Sequence, residues 1–444
     1  MVKDFHLFSD RKTRPYQHPV LFKNVFHASG DDWKRLRTIV SPTFTSGKMR
    51  KMFPMVRECL GDYLDVLEVY ATQGRDLNVK DMYQKLTMNV IGRCAFATDA
   101  NALKDTRSTF VRHAQGMTEF KFWKMLGLFV LPLPVKKLLG LKFAGNEESN
   151  QFFLNLTKQI VERRKREGNT GKVYNDFVQL LVDAEAKSGA DGAAEGGPDE
   201  REGDSVEAHH VNEGKEELEV EKRTFAGNYG NKKLTIDEIS AQGWIFFIAG
   251  SETTASTLGY ASYELALSPH FQDRLYDEVN AAFDADGEIG YDQLSRLPFL
   301  DAVVTETLRL YPPVLRLDRK AKQDYRLADT GITISKGQDV EFPVYAIHHS
   351  ELYYENADRF NPDRWMPQNR HKLIPYTYLP FGAGPRNCVG MRFGLMEVKL
   401  TLSHIIRRYR FVRSKQTAVP LQFPTVANLC VAKSVVVGIE KRFK

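Results

Sequence analysis

Cysteine is scarce in this chain, with four residues among 444. So few cysteines in so long a chain do not form a disulfide framework, and their spacings match no zinc-binding pattern. The scarcity favours a compartment in which thiols stay reduced. Cys59, Cys94 and Cys430 each lie in apolar sequence and are interpreted as core residues. Cys388 differs, because its neighbours are glycine, proline, arginine and asparagine.

Long hydrophobic runs are also missing. The most apolar stretch, residues 125–135, is interrupted by Pro132 and Pro134. It is shorter than the roughly 20 residues that a transmembrane helix requires. Residues 1–20 are polar and charged, which argues against a secretory signal there.

Apolar residues nearly vanish between positions 187 and 233. Residues 183–222 carry 14 acidic and 4 basic side chains, in a chain of formal net charge +6. Such a segment cannot bury enough surface to offset its ordering entropy. Residues 187–233 are therefore predicted to be a disordered acidic insertion within a single domain, residues 1–444. The basic remainder indicates either plain solubility or steering toward an acidic protein or membrane surface.

The chain as a whole has ordinary globular composition, with 42% hydrophobic and 27% charged residues. Periodicity predicts helices over residues 32–40, 77–96, 150–167, 269–283 and 298–310. A longer helix is predicted to start at a capping box, Thr235 to Glu238, and to run to about Leu267. Short Val-, Ile- and Tyr-rich runs within residues 314–344 and near the C-terminus predict strands. The fold class is mostly α with a small β region.

Residues 381–390, Phe-Gly-Ala-Gly-Pro-Arg-Asn-Cys-Val-Gly, carry the strongest chemical signal. Two glycines and a proline predict a turn. The last helix is then predicted to run from Cys388 to about Tyr409. A helix N-terminus and the nearby Arg386 both favour a thiolate. Such a cysteine is a candidate nucleophile or metal ligand, and these residues alone leave both roles open.

The spacing F-x-x-G-x-R-x-C-x-G in this segment resembles the haem-binding loop of cytochromes P450. The resemblance implies that Cys388 is the axial metal ligand of haem b, and that Phe381 and Arg386 contact the cofactor. A thiolate ligand pushes electron density onto the iron and favours O–O cleavage. The implied fold is that of the family, with haem between the long central helix and the helix starting at Cys388.

Glu306 and Arg309 share a helix face, a pattern that alone predicts only a solvated ion pair. Beside the cysteine motif, it resembles the Glu/Arg pair of the family. Arg364 matches the third partner, although its segment, residues 362–365, reads Pro-Asp-Arg-Trp where the family usually has Pro-Glu-Arg-Phe. The resemblance implies a structural role for the three residues, which is to lock the loop that presents Cys388.

The long helix contains Ala-Gly-Ser-Glu-Thr-Thr at residues 249–254. Small and β-branched residues are poor helix formers, so a local distortion is expected. An acid beside a hydroxyl can relay protons, and the pattern resembles the oxygen-activating motif of the family. Catalytic roles are implied for Glu252 and Thr253. The alternative, a polar turn facing solvent, is disfavoured by the apolar run at residues 244–248.

Trp33 and Arg37 lie four residues apart on one helix face and present N–H donors. In isolation they indicate a solvated basic helix. The match to the W-x-x-x-R helix of the family implies instead that they bind a haem propionate. Arg319 and Arg386 are the other implied propionate partners.

One face of the long helix is predicted to line a substrate cavity, because its residues recur at helical spacing. Plain helix core is the alternative for the apolar members. The cavity residues on this face and on the segment opposite are Ile245, Ile248, Ala249 and Thr253, then Val314 and Leu315.

The resemblance covers nearly the whole chain, and residues 33–49 look most like the family 3 branch, which oxidises bulky and often foreign compounds. It implies a monooxygenase that inserts one oxygen atom of O2 into a lipophilic small molecule (xenobiotic, steroid or fatty-acid-like). Electrons would come from NADPH through NADPH-cytochrome reductase, with cytochrome b5 as an additional partner. The implied location is the membrane surface of the endoplasmic reticulum, on its cytoplasmic face, and no nucleic acid is involved.

Full-length relatives have a membrane anchor and first strands ahead of the Trp33 helix, and this chain is expected to lack both. Two other functions stay open. One is a haem-thiolate isomerase of peroxides, which needs no reductase and no Glu252–Thr253 relay. The other is an inactive, truncated, haem-poor protein.

Overall fold

The computed structural model describes residues 2–12, 18–105, 107–118, 127, 130–132, 134–135, 146–167, 174, 176–187, 215–227, 233–424 and 429–442. Helices make up most of this structure, as the composition and periodicity predict. They are α1 (Gly30–Val40), α2 (Ser46–Gln73), α3 (Val79–Phe96), α4 (Thr109–Thr118), α5 (Glu147–Glu167), α6 (Phe177–Lys187), α7 (Lys215–Phe225), α8 (Ile236–Leu267), α9 (Pro269–Ala282), α10 (Tyr291–Leu294), α11 (Pro298–Leu310), α12 (Val344–His348) and α13 (Met391–Arg408). In these described ranges, no helix is both long enough and apolar enough to cross a membrane.

The β region is small and antiparallel. Its strands are β1 (Leu77–Asn78), β2 (Leu317–Lys320), β3 (Tyr325–Arg326), β4 (Thr333–Ile334), β5 (Asp339–Phe342), β6 (Tyr409–Val412) and β7 (Val436–Lys441). The order β1-β7-β6 forms one sheet, while β2 pairs with β5 and β3 with β4. In the β2–β5 pair, Leu317 faces Phe342. Asp10 forms an isolated bridge to Lys320 on β2.

Helix α8 is the central element and packs against α3, α5, α11 and α13. Its start confirms the predicted capping box, since Thr235 Oγ1 accepts from Glu238 N–H and the Glu238 carboxylate accepts from Thr235 N–H. The expected distortion at residues 249–254 is wrong, because α8 is regular throughout. Gly250 instead permits close packing, since a Cβ there would lie 2.7 Å from Ile91 Cδ1.

The expectation of disorder over residues 187–233 is wrong for residues 215–225, which form helix α7 and pack against α1. Val220 and Phe225 contact the hydrophobic core, and Glu217 is buried. The prediction failed because it used the average composition of the whole segment, which does not reveal a short helix with a few inward-facing side chains. Residues 188–214 and 228–232 of this insertion lie outside the described residues.

The last helix also departs from its predicted start, because α13 begins at Met391 with Gly390 as N-cap. Cys388 lies in the preceding turn, where its N–H donates to Phe381 O at 2.8 Å. That bond closes the turn, so the Cys388 backbone is not part of the helix.

Candidate functional site

Residues 381–390, here called the cysteine loop, form a tight turn that presents Cys388. Gly382 and Gly384 have φ of +73° and +71°, a region that favours glycine. The Asn387 N–H donates to Gly384 O at 2.9 Å, next to the bond from Cys388 N–H to Phe381 O. The loop is therefore held by its own backbone.

The Cys388 side chain is exposed, whereas the other three cysteines are buried. Burial by the surrounding fold is nevertheless the largest influence on its thiol and raises the pKa, opposed by a backbone hydrogen bond from Gly390 and by the charges of Arg37 and Arg11. The sulfur thus lies in a recess, not on the outer surface. The Gly390 amide and the two arginines reduce this rise without reversing it.

Four arginines surround this recess and form the arginine cluster, which is Arg11, Arg37, Arg319 and Arg386. Arg319 is fully buried, and Arg37 and Arg386 are nearly so. Burial lowers the pKa of all four guanidinium groups, and repulsion by Arg11 lowers the pKa of the other three further. Buried cations need matching anions. The cluster is therefore a site for an anionic group beside Cys388.

Several donors of this cluster lack a partner. Arg11 Nε, Arg37 Nε, and Nε and Nη2 of Arg319 have no hydrogen-bond acceptor among the described residues. Leaving such a buried group unpaired costs about 1–3 kcal/mol, and more if it is charged. Sequence reasoning found Arg37, Arg319 and Arg386 but missed Arg11. No local pattern marks Arg11, because it comes next to the others only through the fold.

Arg37 and Arg386 attach the cysteine loop to the N-terminal part of the chain. Arg37 donates to Asn387 O at 2.9 Å and to Asn387 Oδ1 at 2.5 Å. Arg386 donates through Nε to Ser9 O and through Nη2 to Ala28 O, each at 2.7 Å. Its guanidinium also lies 4.2 Å from the centroid of the Trp33 ring. Three of the predicted cofactor-binding residues, Trp33, Arg37 and Arg386, thus meet at one place.

Glu306 and Arg309 form a fully buried, bidentate ion pair with both N–O distances at 2.8 Å. Arg364 Nε lies 3.3 Å from Glu306 Oε1, and Trp365 Nε1 donates to Glu306 Oε2 at 2.8 Å. The structure therefore brings the three predicted residues together. Trp365, a departure from the usual family sequence, adds a further donor to the same carboxylate, which also accepts from Asn361 N–H.

Arg309 also donates through Nη1 to the carbonyl oxygens of His348 and Ala357, both at 2.7 Å. The His348 ring connects this ion pair to Leu379, two residues ahead of the cysteine loop, since Nδ1 lies 3.0 Å from Arg309 O and Nε2 accepts from Leu379 N–H at 2.8 Å. These bonds require the neutral ring with a proton on Nδ1. Burial lowers the pKa of His348 to about 3. Sequence reasoning missed His348, which carries no motif of its own.

The predicted cavity residues of α8 belong to its accessible middle stretch, in which Gly250, Ser251 and Glu252 are half-buried as well. Ala249 is exposed, and Ile245, Ile248 and Thr253 are half-buried, although α8 is buried on both sides of this stretch. Val314 and Leu315, on the segment that is predicted to lie opposite α8, are half-buried. Val314 forms a β-bridge to Leu429, and Leu315 O accepts from Tyr345 N–H.

The acid and the hydroxyl of α8 have different partners. Thr253 Oγ1 donates to Ala249 O at 2.6 Å in the accessible middle stretch. Glu252 accepts from Gln84 on α3 and from Ser256, and its carboxylate lies 3.9 Å from Lys80 Nζ. The two side chains are not bonded to each other: Glu252 is anchored toward α3, and Thr253 bonds back to its own helix.

Comparison with known proteins agrees with this geometry. The model of the Cytochrome P450 family matches residues 1–200 and 211–437. The chain is 33% identical to cytochrome P450 6k1 of Blattella germanica over 440 residues, which is 98% of this chain and 79% of the relative. It is 33% identical to cytochrome P450 3A29 of Sus scrofa over 420 residues, 94% of this chain and 75% of the relative. The chain therefore belongs to the cytochrome P450 family and is a haem-dependent monooxygenase.

Proposed function

We propose that this monooxygenase inserts one oxygen atom of O2 into a lipophilic small molecule, with electrons delivered from NADPH by a reductase. The observation that carries the proposal is an accessible cysteine sulfur beside a cluster of arginines, three of which are buried. The longest described helix adds accessible residues in its middle, among them Ile245, Ile248 and Ala249.

The residues present fit haem b. The unpaired donors of Arg11, Arg37 and Arg319 match the two carboxylates of haem, and Trp33 and Arg386 complete that end of the site. Cys388 would be the iron ligand. Bound haem supplies oxygen activation, which a thiolate ligand promotes. The Glu306–Arg309–His348 network holds Leu379, whose carbonyl accepts from Gly382 N–H of the cysteine loop, and would in this way position Cys388.

On the distal side, chain residues would orient substrate and move protons. Ile245, Ile248 and Ala249 offer apolar surface, which favours lipophilic molecules. The Thr253 hydroxyl would relay a proton by accepting one on a free lone pair and giving up its own, which would require its bond to Ala249 O to break. Glu252 is held by Gln84 and Lys80 until it turns toward Thr253. Its proposed role is to resupply that proton.

The relatives named for families 3A and 6 support a xenobiotic, steroid or fatty-acid-like substrate, and with it a position at the cytoplasmic face of the endoplasmic reticulum membrane. NADPH-cytochrome reductase is the proposed electron donor and cytochrome b5 an additional one. The peroxide isomerase is the second candidate, and the Glu252–Thr253 pair on α8 argues against it, because isomerisation needs no proton delivery.

The test is turnover of a panel of lipophilic compounds by the haem-loaded chain, with and without reductase and NADPH under 18O2. The proposal expects product that carries one 18O atom only when both are present. Product formed from a peroxide without NADPH would favour the isomerase instead. The Glu219→Gln variant, which changes an exposed side chain on α7, serves as a control and should turn over the same compounds as the unmodified chain.

A further inference from the structure

Two buried side chains near the C-terminal end of α8, Tyr260 and Glu264, bond to segments that lie much later in the chain. They follow Thr253 by seven and eleven residues. At the helical repeat, they continue the face of α8 that carries this predicted cavity residue. The same face of one rigid helix therefore bears both cavity residues and attachment points for other segments.

Glu264 and Tyr260 together hold the residue that follows α11. Tyr311 donates through Oη to Glu264 Oε1 at 2.5 Å. The Tyr311 ring also stacks on the Tyr260 ring, with 4.5 Å between the ring centroids and 29° between the planes. A stacked pair and a hydrogen bond fix both the face and the hydroxyl end of Tyr311. The chain that continues from Tyr311 toward Val314 thus starts from a fixed point.

Tyr260 also holds a segment near the C-terminus. Its Oη donates to Cys430 O and accepts from Ala432 N–H, each at 2.8 Å. The hydroxyl donor is therefore used, and one of its lone pairs accepts a second bond. These two contacts fix the backbone at residues 430–432 to the side of α8.

The two segments held by α8 are joined to each other. The Cys430 N–H donates to Pro313 O at 3.1 Å, and Val314 forms a β-bridge to Leu429. Val314 is half-buried and Leu429 is exposed, so both keep accessible apolar surface. The position of this surface relative to α8 depends on the bonds that Tyr260 and Glu264 make.

We propose that Tyr260 and Glu264 are positioning residues that set where Val314 and Leu429 lie, and thereby how well the site binds bulky apolar ligands. This inference rests on the proposed function, with Val314 as a residue of the substrate cavity. Neither Tyr260 nor Glu264 touches the ligand. They act by holding the apolar surface in place before binding, which spares the ligand the cost of ordering it.

The test compares imidazole with 4-phenylimidazole as ligands of the haem-loaded chain, with Kd measured from the Soret shift. Both bind iron through the same kind of ring nitrogen and differ by an apolar phenyl group. Tyr260→Phe and Tyr311→Phe each remove one hydroxyl and keep the ring. Each should weaken 4-phenylimidazole binding on the order of tenfold and leave the Kd of imidazole unchanged. An unchanged ratio of the two Kd values in both variants would overturn the proposal.

Tyr83→Phe is the matched control. Tyr83 is fully buried on α3, and its Oη lies 2.8 Å from Oγ of Ser262 on α8. The variant removes a buried tyrosine hydroxyl that bonds to the same helix, so its thermal midpoint should fall about as far as that of Tyr260→Phe. Both Kd values should stay unchanged. The same change of ratio in Tyr83→Phe would mean that any loosening of α8 has this effect, and would contradict a positioning role.

Two further variants separate positioning from simple stability. Glu264→Gln keeps an acceptor oxygen for Tyr311 and should keep the Kd ratio of the unmodified chain. In a Val314→Ala background, Tyr311→Phe should weaken 4-phenylimidazole binding by no more than about twofold, because residues that act through one another are not additive. A full further tenfold loss in that background would show that Tyr311 does not act through Val314.

The two proposals fail in different ways. Reduced carbon-monoxide spectra of the same samples report on the thiolate ligand, and a spectrum without the thiolate band would count against the proposed function. A normal thiolate band with an unchanged Kd ratio in Tyr260→Phe and Tyr311→Phe would count against the positioning role alone.

Discussion

Arg309 donates to both carboxylate oxygens of Glu306 at 2.8 Å, and neither side chain has any exposed surface. The same carboxylate also accepts from Trp365, and Arg309 reaches the backbone of His348 and Ala357. A buried pair with this many partners fixes the position of several segments at once. The intact pair adds little net stability to the fold, but removing one partner destabilises the fold strongly. Its main effect is therefore to hold these segments in position.

Arg309→Ala should destabilise the chain by about 3–5 kcal/mol, because it leaves the Glu306 carboxylate buried without its cation. Haem retention should fall with it, since the cysteine loop loses its support through His348. The measurements are the thermal midpoint and the haem content after gel filtration. Arg316→Ala, which breaks an exposed pair with Glu341, is the control and should change stability by less than about 1 kcal/mol.

His348 gives a pH dependence with a definite sign. Its folded pKa is lowered to about 3 by burial, from an ordinary value of 6.5. As pH falls below about 6.5, the unfolded chain takes up a proton that the folded chain excludes, so stability is lost. This residue should contribute a loss of about 1.4 kcal/mol per pH unit between roughly pH 6 and pH 4.

The check is His348→Gln, whose amide retains one donor and one acceptor. The thermal midpoints of the variant and the unmodified chain should converge as pH falls from 7.5 to 5. His371→Gln, at an exposed position, should track the unmodified chain at every pH. A constant gap between His348→Gln and the unmodified chain would mean that His348 is not held neutral.

The motifs that lie within a few residues of each other could be predicted from sequence. Glu306 and Arg309 share one helix, and the cysteine loop carries its glycines, Arg386 and Cys388 together. The start of α8 was likewise predicted from its capping box, because a cap is a local interaction. The W-x-x-x-R spacing placed Trp33 and Arg37 correctly on one face of α1.

Residues that act only through tertiary contacts could not be found in this way. Arg11 reaches the cluster from the N-terminal segment, and His348 connects α11 to Leu379 across 31 residues. Helix α7 was missed because composition was judged over the whole insertion, whereas its packing depends on a few inward residues. The last helix is predicted to start at Cys388 but starts at Met391. The bond from Cys388 N–H to Phe381 O, which closes the turn ahead of the helix, cannot be read from the sequence.

Arg319→Gln should have opposite effects on the two states of the protein. In the haem-free chain, it removes a fully buried cation whose Nε and Nη2 lack partners among the described residues, so stability should rise by about 1–2 kcal/mol. In the loaded protein, it removes a propionate donor, so haem should dissociate on the order of tenfold faster. The thermal midpoint measures the stability of the haem-free chain, and haem transfer to apomyoglobin measures the rate of haem dissociation. Destabilisation of both states would refute an anion-binding role.

Thr253→Ala should separate NADPH consumption from product formation. In the proposed function the Thr253 hydroxyl relays a proton, and its loss removes an acid–base step of a kind that typically contributes about 100- to 10,000-fold. NADPH should still be consumed, with hydrogen peroxide replacing product. Thr257→Ala is the matched control, since Thr257 bonds back to Thr253 O in the same way but is buried. Unchanged product per NADPH in Thr253→Ala would show that the hydroxyl does not participate.

The most direct test of the account is the reduced carbon-monoxide difference spectrum of Cys388→Ser beside that of the unmodified chain. Cys388 is the exposed cysteine, and the other three are buried in apolar surroundings. The unmodified chain should give the red-shifted Soret band of a thiolate-ligated haem, and Cys388→Ser should lose it while Cys430→Ser keeps it. A red-shifted band that persists in Cys388→Ser would contradict the assignment of the ligand, and with it the site built around the cysteine loop.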